Sequence, residues 1–133
     1  YWYRVFATNA NGTSVGSNVV KVNWYNVPPS INIPSTISID ENASNATSTF
    51  TTLSVSDADG HSLTLTLASS SPGNDASDFT LASGGGLSFN VQPDYENPPD
   101  YDTNNIYDLI VTVTDGIEEV STNFSVVVLN VDE

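Results

Sequence analysis

Asp57-Ala58-Asp59-Gly60 sets two carboxylates one residue apart, closes them with a glycine, and lies between two runs that alternate like strands. Further acids fall at similar places: Asp40-Glu41, Asp94-Tyr95-Glu96, Asp115 and Asp132-Glu133. Two carboxylates held ~4 Å apart repel by about 4 kcal/mol at an effective dielectric near 20. A divalent cation converts that repulsion into ligation. Calcium takes six to eight oxygens in flexible geometry, and Asn26, Asn42 and Asn130 supply neutral oxygen donors beside the acids. No imidazole or thiolate is expected in these clusters, which argues against zinc and copper.

The charge balance points the same way. Sixteen Asp and Glu face two bases, Arg4 and Lys21, so no carboxylate from Val27 onward has a basic side chain near it in sequence. Such a chain is not expected to bind nucleic acid, which needs basic groups to displace counterions from phosphate. It has no apolar run long enough to span a bilayer, so direct membrane insertion is not expected either. Cysteine is absent, so bound metal rather than a disulfide is the available staple for a small secreted domain.

The elements that would position these acids are strands. Thr, Ser, Asn and Val abound, and short alternating runs are separated by turn residues, which predicts an all-β chain. Residues 1–25 read as a β-hairpin: Tyr1-Trp2-Tyr3-Arg4-Val5-Phe6-Ala7, a turn at Asn9-Ala10-Asn11-Gly12, and a second strand from Ser17 to Val22. Asn26-Val27-Pro28-Pro29-Ser30 marks a boundary, because two prolines cannot donate to a ladder. Seven strands are then predicted: Ile31 to Ile39 broken at Pro34, Thr49 to Ser56, Ser62 to Ala68, Phe79 to Leu81, Leu87 to Val91, Ile106 to Thr114 and Thr122 to Asn130. They fit a seven-stranded antiparallel Greek-key β-sandwich of about 100 residues. The glycines of Ser83-Gly84-Gly85-Gly86 read as a hairpin tip, since neither a helix nor a base accompanies them.

In a sandwich of this connectivity the acids sort to two ends. Asp57, Asp59 and Asp115 fall at one pole; Asp40, Glu41, Asp94, Glu96, Asp132 and Glu133 fall at the other. The run Asp100-Tyr101-Asp102-Thr103-Asn104-Asn105 begins like an EF-hand loop but has Val111 where the twelfth-position Glu belongs and Asn105 in place of glycine. It reads as a solvated acidic loop. His61, the only histidine, reads as a loop residue, and no serine sits in a nucleophile-elbow pattern, so an enzyme is not expected.

Along residues 26–133 these motifs, in order, resemble the calcium motifs of the cadherin family. Asp40-Glu41-Asn42 is similar to the Glu-Asn motif, Asp57-Ala58-Asp59 to the D-x-D loop, and Asp94-Tyr95-Glu96 to the D-R-E or D-Y-E motif. Tyr107, Leu109, Val111 and Thr114-Asp115-Gly116 resemble the penultimate strand with its terminal aspartate, and Asn130-Val131-Asp132-Glu133 resembles the start of the interdomain linker. The wording of Asp94-Tyr95-Glu96-Asn97-Pro98 and Val113-Thr114-Asp115-Gly116 is closest to bacterial cadherin-like repeats of large surface proteins. The hairpin's Tyr3-Arg4-Val5, Gly12-Thr13-Ser14 and Ser17-Asn18-Val19-Val20 resemble the last two strands of a fibronectin type III domain.

The resemblance implies a cadherin-like domain over 26–133 after a fibronectin-like remnant over 1–25. It implies an extracellular or cell-surface, non-enzymatic spacer or adhesion module whose Ca2+ ligands are Glu41, Asp57, Asp59, Asp94, Glu96, Asp115, Asn130, Asp132 and Glu133. The partners it implies are neighbouring repeats of the same chain and, beyond them, other cell-surface proteins. In the family each cluster is completed by the adjoining domain. Here Asn23-Trp24-Tyr25-Asn26 lacks the upstream acids, and the sequence reads as part of a longer chain, so partial calcium occupancy is expected. The alternative is a calcium-dependent carbohydrate-binding module, with Trp2, Trp24, Tyr95, Tyr101 and Tyr107 as stacking candidates for polysaccharide and Tyr107 reading as core.

Overall fold

A computed structural model describes residues 25–70 and 72–133 in full and, within the first 24, the backbone of four short strands. These are β1 (Trp2–Tyr3), β2 (Thr8–Asn9), β3 (Gly12–Thr13) and β4 (Val20–Lys21). β1 pairs with β4 and β2 with β3, both antiparallel, with Asn9 opposite Gly12 at the expected turn. The packing of Trp2, Tyr3 and Trp24 lies outside the described residues.

From Ser30 the chain forms a β-sandwich. β5 (Ser30–Asn32) and β6 (Thr36–Asp40) are the two halves of the first predicted strand, parted around Pro34. Proline has no N–H to give, so the ladder ends there and the strand changes partner. β5 pairs antiparallel with β8 (Ser54–Ser56), whereas β6 runs parallel to the last strand, β13 (Glu119–Leu129). One sheet has the order β6, β13, β12 (Ile106–Thr114), β9 (Thr64–Ser69). Facing it are β10 (Phe79–Leu81), β11 (Gly86–Phe89) and β7 (Thr51–Thr52), with the β5–β8 pair continuing from β7. The second predicted strand is thus divided at Leu53, whose N–H donates to Gly85 O at 2.8 Å. Gly85 has φ +89°, and a Cβ there would stand 2.6 Å from Leu53 O, so the expected glycine hairpin tip needs this residue for close approach.

The last strand starts at Glu119, three residues earlier than predicted. The Asp115 carboxylate accepts N–H groups from Ile117 and Glu118 at 2.7 and 2.8 Å, closing a tight turn that lets the ladder run to Thr114 opposite Glu119.

Strand period decides what is buried. Tyr107, Leu109, Val111 and Val113 on β12, Phe124, Val126 and Val128 on β13, and Leu87 and Phe89 on β11 alternate inward. Phe79, Phe89 and Tyr107 meet in tilted and edge-to-face contacts 4.3 to 5.3 Å between ring centroids. Tyr107 is fully buried, as its alternation predicts, which removes it from any sugar-stacking surface.

Candidate metal centres at the two ends of the sandwich

Several inward-facing stripes end in a donor residue. On β6 the series Ile37, Ile39 continues to Glu41; Leu53 and Val55 continue to Asp57; Val111 and Val113 continue to Asp115; Val126 and Val128 continue to Asn130. At Glu41, Asp57 and Asp115 the next residue of the same parity therefore leaves the core at the sheet's end with its side chain still aimed inward, whereas Asn130 is exposed. This explains why Glu41 is only 2 % exposed and Asp115 only 8 % exposed. β12, nine residues long, separates the two ends by about 30 Å.

At the N-terminal pole, Asp57, Asp59 and Asp115 gather as the connectivity predicts. Asn26 joins Asp115 to Glu118: its Nδ2 donates to Asp115 Oδ2 at 2.8 Å and to Glu118 Oε2 at 3.0 Å, while its Oδ1 is buried with no partner among the described residues. The Val27 N–H donates to Asp59 Oδ2 at 2.7 Å, and the His61 N–H to Asp57 Oδ1 at 2.8 Å. Asp57 Oδ2 is buried and accepts from nothing among the described residues. Two unpartnered buried oxygens beside further carboxylates are the arrangement a hard cation would complete.

The expectation that no imidazole joins either cluster is overturned here. His61 Nδ1 lies 3.6 Å from Asp57 Oδ1 and 4.0 Å from Asp115 Oδ2. One donor atom each from Asp57, Asp59 and His61 falls within 4.8 Å of the others. The residue was readable in principle: Leu63, Leu65 and Leu67 share its parity, so the stripe that faces the core reaches back to position 61.

At the C-terminal pole, Glu41, Asp94 and Glu96 each bring an oxygen within 4.8 Å of the others. Glu41 ties three segments together, accepting from Tyr95 N–H at 2.7 Å and from Val131 N–H at 2.8 Å, while its own N–H donates to Leu129 O at 3.1 Å. Gln92 Nε2 hydrogen-bonds the Glu41 carbonyl. Asp94 Oδ1 caps the Asn97 N–H at 3.0 Å, Asn130 Nδ2 donates to Glu96 Oε1 at 2.8 Å, and Asn42 Nδ2 donates to Glu133 Oε2 at 3.4 Å. Asp40 and Asp132 are exposed at this end.

A third group of polar side chains departs from expectation. Asp100 and Asn105, read as parts of a solvated loop, are 3 % and 8 % exposed. Asp75, on a short 3-10 helix (Asp75–Asp78), is also buried and accepts N–H groups from Tyr101 at 3.1 Å and Asp108 at 2.9 Å. These long-range bonds fold the loop onto the sheet. Asp100 Oδ2 accepts from Asn104 N–H at 3.0 Å, while Asp100 Oδ1, Asn105 Oδ1 and the Tyr107 hydroxyl are buried without partners among the described residues.

The environments push these carboxyls in opposite directions. At Asp115 the Glu118 N–H, then the Asn26 amide and the Ile117 N–H, outweigh burial and lower the carboxyl to about 2. The Val131 and Tyr95 N–H groups likewise lower Glu41. Burial raises Asp100 despite the N–H groups of Asn105 and Asn104, and raises Asp78, which also feels Asp75 and Asp100. Burial and the same acids push the Tyr107 hydroxyl up.

A group raised in the folded state disfavours folding once it ionises, and a lowered group favours folding above its unfolded value. In chelator, the melting temperature should therefore rise as pH falls from neutral and Asp78 and Asp100 take up protons. It should then fall below the ordinary carboxylate range as Glu41 is neutralised, and Asp115's contribution should vanish near pH 2. Circular dichroism melts across pH check this. Asp100→Asn should flatten the acid-side rise, and a steady decline from neutral pH in the parent protein would contradict the assignment.

No protein-family model and no curated protein matches the chain. Solved structures do. Human Protocadherin-24 EC1-2 superposes with TM-score 0.62 at 19 % identity, over 78 % of this chain and 45 % of that one. Drosophila N-cadherin EC1-3 gives 0.64 at 22 % identity over 80 % and 35 %, and Protocadherin Gamma B7 domains 1-4 give 0.60 at 12 % over 98 % and 40 %. The chain spans less than half the length of each. The fold is that of a cadherin extracellular domain: a β-sandwich, antiparallel apart from the β6–β13 pair, whose first strand is shared between the two sheets.

Proposed function

We propose that residues 26–133 form a calcium-binding module of an extracellular, multidomain surface protein, a spacer or adhesion unit rather than an enzyme. In this reading residues 1–25 are the tail of a preceding fibronectin type III-like domain, and the repeat is of the bacterial cadherin-like type. Calcium at the two ends stiffens the junctions with neighbouring repeats. At the N-terminal pole Asp57, Asp59, Asp115 and the Asn26 carbonyl hold the ion. At the C-terminal pole Glu41, Asp94 and Glu96 hold it, with Asn130, Asp132 and Glu133 beside them.

The observation that carries the reading is the ending of the core stripes in Glu41, Asp57 and Asp115, with Asp57 Oδ2 and Asn26 Oδ1 buried and unpartnered among the described residues. No basic side chain follows Lys21 in the sequence to neutralise them. The donors are oxygens at the C-terminal pole and, His61 apart, at the N-terminal pole, which suits calcium's preference for hard ligands. Calorimetric titration with calcium tests it. Two classes of site are expected, and Asp57→Asn with Asp115→Asn should abolish one while leaving the other. A titration without heat or saturation in the parent protein would refute the proposal.

A further inference from the structure

The N-terminal pole contains one donor that calcium does not favour. His61 Nδ1 stands 3.6 Å from Asp57 Oδ1, and the Asp57 side chain is only 2 % exposed, with Oδ2 buried and unpartnered among the described residues. Asp59 Oδ2 accepts from Val27 N–H, and its other oxygen has no hydrogen bond among the described residues. The His61 N–H bond to Asp57 Oδ1 and the turn at Gly60, with φ +76°, fold the imidazole back over the carboxylates. Donors bound tetrahedrally at zinc distances lie about 3.3 Å apart. The His61–Asp57 pair is therefore close to the needed spacing, and Asp59, on an exposed turn, has room to approach.

Imidazole nitrogen suits zinc, copper and nickel, whereas calcium and magnesium select oxygen. We propose that this pole is a mixed nitrogen and oxygen site that takes a borderline divalent ion of the zinc class through His61 Nδ1, Asp57 and Asp59. The site competes for its carboxylates with calcium. The inference rests on reading the pole as a cation site and adds the class of ion. The fourth position opens to a cleft of about 380 Å3 lined by Tyr25, Asn26, Asp59, His61 and Ile117, where water or a donor from another molecule can enter. Coordination at Nδ1 leaves the proton on Nε2, and the ring, 39 % exposed, can give that proton to solvent.

The chain has a single histidine, so the imidazole C–H resonances of tag-free protein report this site without ambiguity. Zinc chloride should shift them in a saturable, one-equivalent titration, and calcium should reverse the shift at higher concentration. His61→Ala keeps the backbone N–H that holds Asp57, so it should retain calcium binding. It should lose zinc affinity by more than the roughly tenfold that removal of a supporting group costs. Asp57→Asn should lose both ions at this pole and keep calcium at the other. Calcium binding at this pole with no zinc-dependent shift, or a His61→Ala protein that binds zinc like the parent, overturns the proposal while leaving the calcium reading intact. Zinc binding that calcium cannot reverse upholds the zinc site and removes calcium from this pole. Failure of both ions to bind overturns the two readings together.

Discussion

Removing calcium with a chelator should lower the melting temperature by on the order of 10 °C relative to a solution in which calcium exceeds its dissociation constant a hundredfold. An ion that binds the folded sandwich and not the unfolded chain adds RT ln(1 + [Ca]/Kd), about 2.7 kcal/mol under that condition for one site. For a domain of roughly 100 residues each kcal/mol moves the midpoint by at least about 4 °C. The effect is large here because the folded chain concentrates acids without bases: Glu41 and Asp115 are buried, and sixteen acids face two bases. In the unfolded chain the same carboxylates separate and the bound ion has no site. Magnesium should restore little of the loss, since it requires tighter, more regular octahedral geometry. Added sodium chloride should screen general repulsion in chelator but not reproduce the calcium increment. Coincident melting curves with calcium and with chelator would rule out both poles as calcium sites.

The parts of the structure visible in the sequence are those governed by the two-residue strand period. The alternation of Tyr107, Leu109, Val111 and Val113 marks β12 at its observed bounds and points onward to Asp115. Ile37 and Ile39 point in the same way to Glu41. Pro34 marks the break between β5 and β6 because a missing N–H is a local property. What stayed hidden depends on contacts between distant segments. Asp100 reads as a loop acid because its neighbours are polar, yet Asp75, 25 positions earlier, draws the loop down through Tyr101 and Asp108 N–H groups. His61 reads as a solvated turn residue because Asp115, with which it shares the pole, is supplied by the turn between the last two strands. The grouping of acids at each pole was legible from connectivity; the imidazole in one of them was marked only by the parity of Leu63, Leu65 and Leu67, and its distance from Asp115 required the folded geometry.

Glu41→Ala should destabilise the domain on the order of 10 °C even in chelator, before any ion is considered. The Glu41 carboxylate accepts the N–H groups of Tyr95 and Val131 and so joins the end of β6 to the loop before β12 and to the chain leaving β13. Alanine leaves both donors facing a cavity, and an unsatisfied buried N–H costs more than an ordinary hydrogen bond contributes. Glu41→Gln separates the two roles of the side chain. Its amide oxygen can still accept one N–H, but the charge that would ligate calcium is gone. In chelator the glutamine protein should therefore melt much closer to the parent than the alanine protein does. On adding calcium it should gain only the increment of the N-terminal pole, whereas the parent gains both. If alanine melts with the parent in chelator, the three-segment tie is not a structural support. If glutamine gains the full calcium increment, Glu41 is not a ligand and the C-terminal pole must hold its ion through Asp94 and Glu96 alone. The terminal member of an inward stripe would then serve only to seal the end of the core.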